Sequence, residues 1–268
     1  MKASGPASKA LVVDQLTVDR RVQRGLDTRR ADDIAKDFKR DAVGVLIVSH
    51  RDDGTYHVVD GQTRLAAMRK LNLGKETVEC YVHEGLNLAQ EAALFRYHNN
   101  SKKTQPITNF MMKVIEREPA AVEMSTILAK HGWQVTGATG RGCFAAVAAL
   151  EWVYNGAGIS DTGGGKVCDD VIAVLTNAFG HHPDGVRAEL VRGLGLVVLR
   201  YGETLDLRRL IVDLAKHDGG AIGVIGDARQ LRKLRSCRIA DAMAEILVGM
   251  ANKRRKTNRI PEWREPTA

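Results

Sequence analysis

VGVLIVSHRDDGTYHVVDGQTRLAAMRKL, residues 43–71, is the stretch that carries the clearest structural pattern in the chain. Residues 43–49 form a short run of apolar, largely β-branched side chains, which predicts a buried strand. Asp53-Gly54 is a typical hairpin turn, and residues 56–60 predict the returning strand. The apolar spacing of residues 65–71 predicts a helix, so the second strand leads into a helix through a short polar loop.

The same kind of pattern continues on both sides of this stretch. Upstream, residues 11–18 predict a first strand and residues 31–40 a helix, with Asp27 or Thr28 as its N-cap. Downstream, residues 77–83 predict a further strand and residues 88–98 a helix. Strand signals almost disappear after residue 105, and helices are predicted instead. They cover residues 110–116, 120–131, 143–154, 169–179, 186–201, 207–215, 229–234 and 239–252.

These predictions describe an α+β protein with two domains. A small α/β domain is expected at residues 10–105, followed by an all-helical domain at residues 106–252. The polar residues 1–9 are expected to be disordered, and residues 253–268 are expected to form a basic tail that contains proline.

The composition leaves several function classes open. The 268 residues carry a formal net charge of +8 and give a pI of about 9.4, which suits a polyanionic partner but also an ordinary basic surface. The four cysteines are far apart in sequence, so neither a zinc site nor a disulfide framework is expected. No apolar run resembles a signal peptide or a membrane span, and a cytoplasmic protein is expected.

The loop between the second strand and its helix, VDGQTR at residues 59–64, is suited to holding a phosphate group. The first turn of a helix leaves backbone N–H groups unpaired, and these attract an anion. Gly61 allows close approach of the backbone, Thr63 adds a hydroxyl and Arg64 can fork two hydrogen bonds onto a phosphate. Asp60 has three candidate roles: orienting Arg64, binding a ribose hydroxyl or holding a metal ion. On these residues alone, an ordinary turn is an equally open interpretation.

The order of the elements resembles the ParB/sulfiredoxin superfamily. In ParB-like N-terminal domains, a loop with a Q-x-R box precedes a helix, and a second box, G-E-R-R or D-G-x-x-R, opens a later helix. Gln23 and Arg24 lie where the first box is found, and DGQTR, residues 60–64, lies at the second. NNSKK, residues 99–103, is similar to the third box, E-N-x-x-R. The resemblance covers residues 8–110 and implies a ParB/sulfiredoxin-like fold there.

The C-terminal half carries a second resemblance. HGWQVTG at residues 131–137, AVAALEWVY at 146–154 and NKRRKTNRIPEW at 252–263 look like segments of phage-encoded proteins described as ParB-like nuclease-domain proteins. This similarity extends the match over most of the chain and implies a phage protein that acts in the cytoplasm of a bacterial host. It assigns no role to the helices themselves.

The resemblance implies a nucleotide site in the first domain. ParB-like domains bind CTP, or ATP in some relatives, and Mg²⁺ accompanies the nucleotide in CTP-binding members. A few relatives are DNases or nucleotide hydrolases, for which Asp60 would be the catalytic candidate here. The residues that would surround the phosphates, matched by position to the three boxes, are Gln23, Arg24, Asp60, Gly61, Gln62, Thr63, Arg64, Asn100 and Lys103.

Two positions depart from the family pattern. Asn99 replaces the glutamate that helps to hold magnesium, and a neutral amide is a poorer Mg²⁺ ligand than a carboxylate. Lys103 replaces an arginine, which keeps the charge but loses the bidentate fork. The metal ligands are therefore left unassigned. Sulfiredoxin chemistry needs a cysteine nucleophile in the loop, and the nearest cysteine is Cys80, on a predicted strand.

Two basic segments are candidates for contacts with DNA phosphates, and each also fits a solvated surface. One is the arginine-rich loop that precedes the first helix, and the other is the basic tail. Their candidate residues are Arg20, Arg21, Arg29, Arg30, Lys253, Arg254, Arg255, Lys256 and Arg259. A helix-turn-helix within residues 120–154 is not favoured, because its turn is too long and its second helix too apolar for a groove.

Two hypotheses of function follow. In the first, the chain is a ParB-like protein that binds nucleotide and DNA, with DNase or nucleotide hydrolase activity left open. In the second, it is a non-catalytic adaptor whose helical domain binds a host or phage protein. DNA and nucleotide are the expected partners, a membrane is not, and a homodimer is left open.

Overall fold

Strand β3, Leu46–His50, lies at the centre of a five-stranded mixed sheet. The computed structural model describes residues 5–99, 105–161, 163–253, 255, 257 and 259–264. The other strands are β1 Ala7–Val12, β2 Leu16–Thr17, β4 Tyr56–Asp60 and β5 Thr77–Glu84. β3 pairs in parallel with β5 and antiparallel with β4, and the spatial order is β1-β5-β3-β4-β2.

Helices cover both faces of this sheet. Leu46 and Val48 point to the face covered by α2, Gln62–Lys70, and Ile47 points to the opposite face, because strand side chains alternate. The opposite face packs against α3, Leu88–Asn99, and α4, Pro106–Ile115. β3 is thus buried on both sides, as its uninterrupted apolar run predicted.

The first helix is shifted relative to its predicted position. α1 spans Thr28–Lys36, whereas the sequence predicted residues 31–40. Its N-cap is Asp27, one of the two predicted caps, whose carboxylate accepts a hydrogen bond of 3.0 Å from the backbone N–H of Arg30. After Lys36 the chain leaves the helix, so Phe38 and Lys39 belong to a connecting segment that precedes a short 3-10 turn at Arg40–Ala42.

The chain divides into two units, residues 1–117 and residues 118–268. The sequence placed the end of the first domain at residue 105, one helix earlier. α4 belongs to the first unit because its Met112 and Ile115 pack in the same apolar cluster as Phe95 of α3. An ion pair of 2.6 Å between Arg96 of α3 and Glu116 fixes the end of α4 to the same helix.

The second unit is almost entirely helical. Its most buried helix is α8, Ala188–Tyr201. Added Cβ atoms at Gly193 and Gly195 would lie 2.1 Å from Met243 and 2.3 Å from Val153, so neighbouring helices approach α8 closely. Two short strands, β6 Gln134–Val135 and β7 Cys143–Phe144, pair in parallel. The helices are α5 Pro119–Lys130, α6 Val147–Tyr154, α7 Gly165–Phe179, α8 Ala188–Tyr201, α9 Leu207–Ala215, α10 Gly220–Arg235 and α11 Ile239–Asn252.

Three helix predictions in this unit began well away from the observed first residue, and one of them is α7, which begins at Gly165 rather than at the predicted residue 169. The predicted helix at residues 143–154 begins only at Val147, because Phe144 is buried beside Trp133 and its strand pairs with β6. The predicted helix at residues 229–234 is the end of the longer α10, whose glycine-rich first half has weak helix propensity. α6 buries Val147, Leu150 and Val153, as expected of a core helix.

All four cysteines are free thiols. Cys80 and Cys168 are buried, and burial raises the pKa of the Cys80 thiol to about 11 and that of Cys168 to about 12. These two thiols are therefore protonated and unreactive near neutral pH. Among the helices that the structure describes, none combines the length and apolarity that crossing a membrane requires.

A buried ion pair joins the hairpin to α3. Arg51, at the turn after β3, donates two hydrogen bonds to the fully buried carboxylate of Glu91, at 2.7 and 2.5 Å. Its guanidinium also donates to Asp19 at 2.9 Å. Hydrogen bonds from Arg21 and Arg51 hold the pKa of the Asp19 carboxyl well below its usual range. The pair therefore connects the arginine loop, the hairpin and α3.

Replacing Glu91 by alanine is expected to destabilise the chain by about 3 kcal/mol, because Arg51 would keep a poorly solvated charge with one partner fewer. Urea unfolding at neutral pH measures the change. The control is Glu84→Ala, whose exposed pairs with Lys9 and His50 are expected to contribute less than about 1 kcal/mol. Equal losses for the two variants would contradict a special role for the buried pair.

Candidate functional site

The turn between β4 and α2 has the predicted strand-to-helix geometry. β4 ends at Asp60, Gly61 is the N-cap with φ 106°, and α2 begins at Gln62. Gly61 has no side chain to cap the helix, so the N–H groups of the first turn are open to another acceptor. The turn therefore presents the positive end of a helix, as the sequence predicted.

Gly61 is required by the protein itself. An added Cβ would lie 2.4 Å from Cδ2 of Leu46 and 3.0 Å from Nη2 of Arg64, and the left-handed backbone would strain any other residue. The sequence assigned this glycine to close approach of a ligand. In the structure, the groups that approach it closely are a core leucine and the Arg64 guanidinium.

The guanidinium of Arg64 is directed inward. Its Nη1 donates to the carbonyl oxygens of Val43 and Val45 at 2.8 and 3.1 Å, and its Nη2 donates to Oδ2 of Asp60 at 3.0 Å. Three of the five N–H donors of the guanidinium are used in this way. Arg64, which the sequence assigned to a phosphate, thus serves to hold the turn against the chain that leads into β3.

Two glutamines attach the arginine loop to the same turn. The buried amide of Gln23 donates to the carbonyl oxygens of Val58 and Val59, at 2.9 and 2.5 Å. The amide of Gln62 donates to the carbonyl oxygen of Arg24 at 2.9 Å. The first and second boxes are therefore in direct contact, and both glutamines hold the loop in place through their amide donors.

A cavity of about 350 Å³ opens at this junction. Every described residue that the sequence assigned to the phosphates lines it, together with Asn99. Arg30, which the sequence assigned to DNA, also lines it. Lys39 lies beyond the end of α1, where no local pattern indicated a ligand contact. The lining comprises Gln23, Arg24, Arg30, Ile34, Asp37, Phe38, Lys39, Ala42, Val43, Asp60, Gly61, Gln62, Thr63, Arg64, Phe95 and Asn99.

Several polar groups in this cavity have no partner within the part of the chain that the structure describes. The side chains of Arg24, Arg30 and Lys39 make no hydrogen bond or ion pair with a described residue. The hydroxyl of Thr63 is likewise unpartnered there, although only 8% of the residue is exposed. Arg24 is partly buried, whereas Arg30 and Lys39 are exposed. Three cations and one hydroxyl thus line the same cavity as the open end of α2, which is an arrangement suited to an anion.

The cavity offers few ligands to a divalent metal ion. The carboxylates in its described lining are Asp37 and Asp60, and one oxygen of Asp60 accepts a hydrogen bond from Arg64. Asn99, at the position of the family's glutamate, donates its amide to the carbonyl oxygen of Phe95 at 2.9 Å. No group of three His, Cys, Asp or Glu suited to a metal occurs among residues 5–99, 105–161 and the other described positions. The described side chains thus lack the carboxylate at position 99 that the implied Mg²⁺ site uses, and Asp60 is shared with Arg64.

The remaining residues that the sequence assigned to nucleotide or DNA are not in the described lining of this cavity. Asn100 and Lys103, and Arg254 and Lys256 of the tail, lie outside the described residues. Arg21 pairs with Asp19 at 2.6 Å, whereas Arg20 and Arg29 are exposed. In the second unit, Lys253 is exposed, Arg255 is only 13% exposed and lies 3.9 Å from Asp206, and Arg259 pairs with Glu262 at 3.1 Å.

The described part of the tail is folded onto the second unit. Ile260 is buried, and its backbone N–H and C=O bond to the side chain of Asn252 in α11 at 3.0 and 2.8 Å. The hydroxyl of Tyr201 donates to the carbonyl oxygen of Pro261 at 2.7 Å, and the Arg200 guanidinium lies 4.9 Å from the centre of the Trp263 ring. Residues 259–264 are therefore part of the helical unit, and the sequence missed this because their charge dominates their composition.

Gly61→Ala is expected to destabilise the first unit by about 3 kcal/mol or more, because a strained backbone and a clash with Leu46 act together. Gly54→Ala is a matched control. Its φ of 82° is also left-handed, but an added Cβ there has no atom within 4 Å. This control is expected to cost about 1–2 kcal/mol. Urea unfolding compares them, and similar losses would show that the contact with Leu46 and Arg64 is unimportant.

Comparison with known proteins gives a family and a distant structural likeness. No curated protein matches the chain. A solved structure of the C-terminally truncated chromosome-partitioning protein ParB from Caulobacter crescentus, complexed with CTP-gamma-S, superposes with a TM-score of 0.32 and 14% sequence identity, over 77% of this chain and 99% of that chain. A likeness this distant does not define the fold. The model of a family described as Family of unknown function (DUF6551) matches residues 18–258, which include the whole described lining of the cavity, and the chain belongs to that family.

Proposed function

We propose that the first unit binds a small molecule that carries phosphate, with a nucleotide as the expected class of ligand. One observation carries the proposal: Arg24, Arg30, Lys39 and the hydroxyl of Thr63 line the same cavity as the open end of α2, unpartnered by any described residue. An anionic ligand with several acceptor oxygens would take charge-assisted hydrogen bonds from these groups in place of water.

The size and lining of the cavity favour a small ligand over duplex DNA. A cleft of about 350 Å³ lies in the range of small-molecule sites, which enclose their ligand. Ile34, Phe38 and Phe95 supply an apolar part of the wall, on which a nucleoside base could pack. A ligand with a charged end and a flat apolar end suits this mixed lining. The resemblance of the boxes at residues 23–24 and 60–64 to ParB-like domains supports the same class.

The residues of the site divide into two groups by their contacts. One group shapes the cavity. Arg64 and the two glutamines do so because their side chains donate hydrogen bonds within the protein, and Gly61 does so because it leaves room for Leu46 and Arg64. Arg24, Arg30 and Lys39 are proposed to bind the phosphates, and Thr63 to donate its hydroxyl. In this proposal the negative charge of the ligand is bound mainly by cations that lie outside the D-G-x-x-R motif and line the same cavity.

Catalysis stays a prediction. A metal-assisted hydrolase places at least two carboxylates near the scissile bond. Asp60 and Asp37 line the cavity, and Asp60 is hydrogen-bonded to Arg64. The proposal is therefore limited to binding. DNA contacts by the exposed Arg20 and Arg29, and the adaptor role of the helical unit, also stay predictions.

Arg30→Ala and Lys39→Ala are expected to weaken binding of ATP or CTP about tenfold or more each, because each removes a charge-assisted hydrogen bond. Isothermal titration calorimetry at low salt measures the affinities. The matched controls are Arg29→Ala and Lys36→Ala. Each of these lies on α1, carries the same charge as its counterpart and does not line the cavity.

Two experimental results would contradict the proposal. The first is that ATP, CTP and inorganic pyrophosphate all fail to bind the intact chain at low salt. The second is that the two control variants weaken binding as much as Arg30→Ala and Lys39→Ala, which would mean that only the overall charge of the surface matters. A duplex oligonucleotide that binds in competition with ATP would instead favour DNA as the ligand of this cavity.

A further inference from the structure

The charges that line the cavity are unbalanced. Of the described lining residues, four are cationic, namely Arg24, Arg30, Lys39 and Arg64, and two are acidic, namely Asp37 and Asp60. The only ion pair among these described residues joins Arg64 to Asp60, so the excess positive charge is carried by side chains without a described partner. A cavity with this balance attracts an anion and opposes the entry of a divalent cation.

The carboxylate best placed for a metal ion is already engaged. Asp60 lies directly before the turn, and its Oδ2 accepts a hydrogen bond from Arg64 at 3.0 Å. A metal ion bound to Asp60 would have to lie beside the Arg64 guanidinium, which is fixed by the carbonyl oxygens of Val43 and Val45. Two positive groups would then share one carboxylate, an arrangement that is unfavourable in a partly enclosed site.

We infer that this cavity binds its phosphate ligand without a divalent cation, and that Arg24, Arg30 and Lys39 supply the positive charge that a metal ion would otherwise supply. The inference rests on the proposed function, since it names the form in which the ligand is bound. Guanidinium and ammonium groups donate directly to phosphate oxygens. The expected ligand is therefore the free polyanion rather than its magnesium complex.

The inference gives Asp60 a definite role. Asp60 holds Arg64 and is not a metal ligand, so the anion and the Asp60 carboxylate repel each other across the cavity. Asp60→Asn keeps an oxygen that can accept from Arg64 and removes the negative charge. Asp37→Asn removes the second negative charge of the described lining, at a side chain that has no described partner.

The first experiment titrates the full chain with ATP and with CTP by calorimetry, once in EDTA and once in excess Mg²⁺. Binding is expected in EDTA, and Mg²⁺ is expected to leave the affinity unchanged or to weaken it, because the metal competes for the nucleotide. A titration with Mn²⁺ alone is expected to show no saturable site on the chain. Inorganic pyrophosphate in EDTA provides a probe without a base.

The second experiment measures the carboxylate variants in EDTA. Asp60→Asn and Asp37→Asn are each expected to bind ATP about two- to tenfold more tightly, because one repulsive charge is removed near the anion. Asp33→Asn, on the exposed part of α1 and outside the cavity, is the matched control and is expected to bind like the parent chain. Circular dichroism shows whether each variant is folded. If Asp60→Asn does not fold, Asp37→Asn still tests the inference.

The outcomes separate the inference from the proposed function. Binding that requires Mg²⁺, saturable Mn²⁺ binding abolished by Asp60→Asn, or weaker binding by Asp37→Asn would overturn the metal-free inference and leave the nucleotide function standing. Failure of ATP, CTP and inorganic pyrophosphate to bind in both buffers would overturn the proposed function itself. Binding in EDTA with tighter association of the two cavity variants would support both.

Discussion

The position of the Arg64 guanidinium is the constraint on which the architecture of the site depends. It joins three pieces of chain: the approach to β3 through Val43 and Val45, the end of β4 through Asp60, and the start of α2, where Arg64 itself lies. The left-handed Gly61 leaves room for it, since any side chain there would collide with Leu46 and press on the guanidinium. The chain that leads into the central strand and the helix that covers this strand are thereby joined beside the cavity.

The groups proposed to meet a ligand come from elements that this frame holds apart. Arg24 belongs to a loop that Gln23 and Gln62 fasten to β4 and α2, Arg30 to α1, and Lys39 to the segment that follows α1. A separate buried ion pair, Arg51 with Glu91, ties the beginning of the same loop to α3 through Asp19. Rigid attachment on several sides lets side chains with no described partner stay close together, which a freely moving loop would not allow.

Local patterns predicted much of the first unit. β4 was predicted with its observed bounds, because the Asp-Gly turn and the helix start confine it on both sides. α1 was misplaced, because residues 37–40 continue its pattern although the chain has left the helix. The partners of Arg64 were missed for a different reason: backbone carbonyl oxygens about twenty residues earlier leave no mark in the sequence. Lys39 was missed because only the fold brings it to the turn.

The inward direction of Arg64 has a consequence for how relatives of this chain diverge. A change in a residue that holds the frame is expected to destabilise the fold, so we expect the D-G-x-x-R motif to persist in members with unlike ligands. Positions 24, 30 and 39 lie on three separate elements, and each can be exchanged without disturbing the hydrogen bonds of the frame. Searching genomes with the motif would therefore collect chains that share a scaffold, whereas sorting those chains by the residues at these three positions would group them by what they bind.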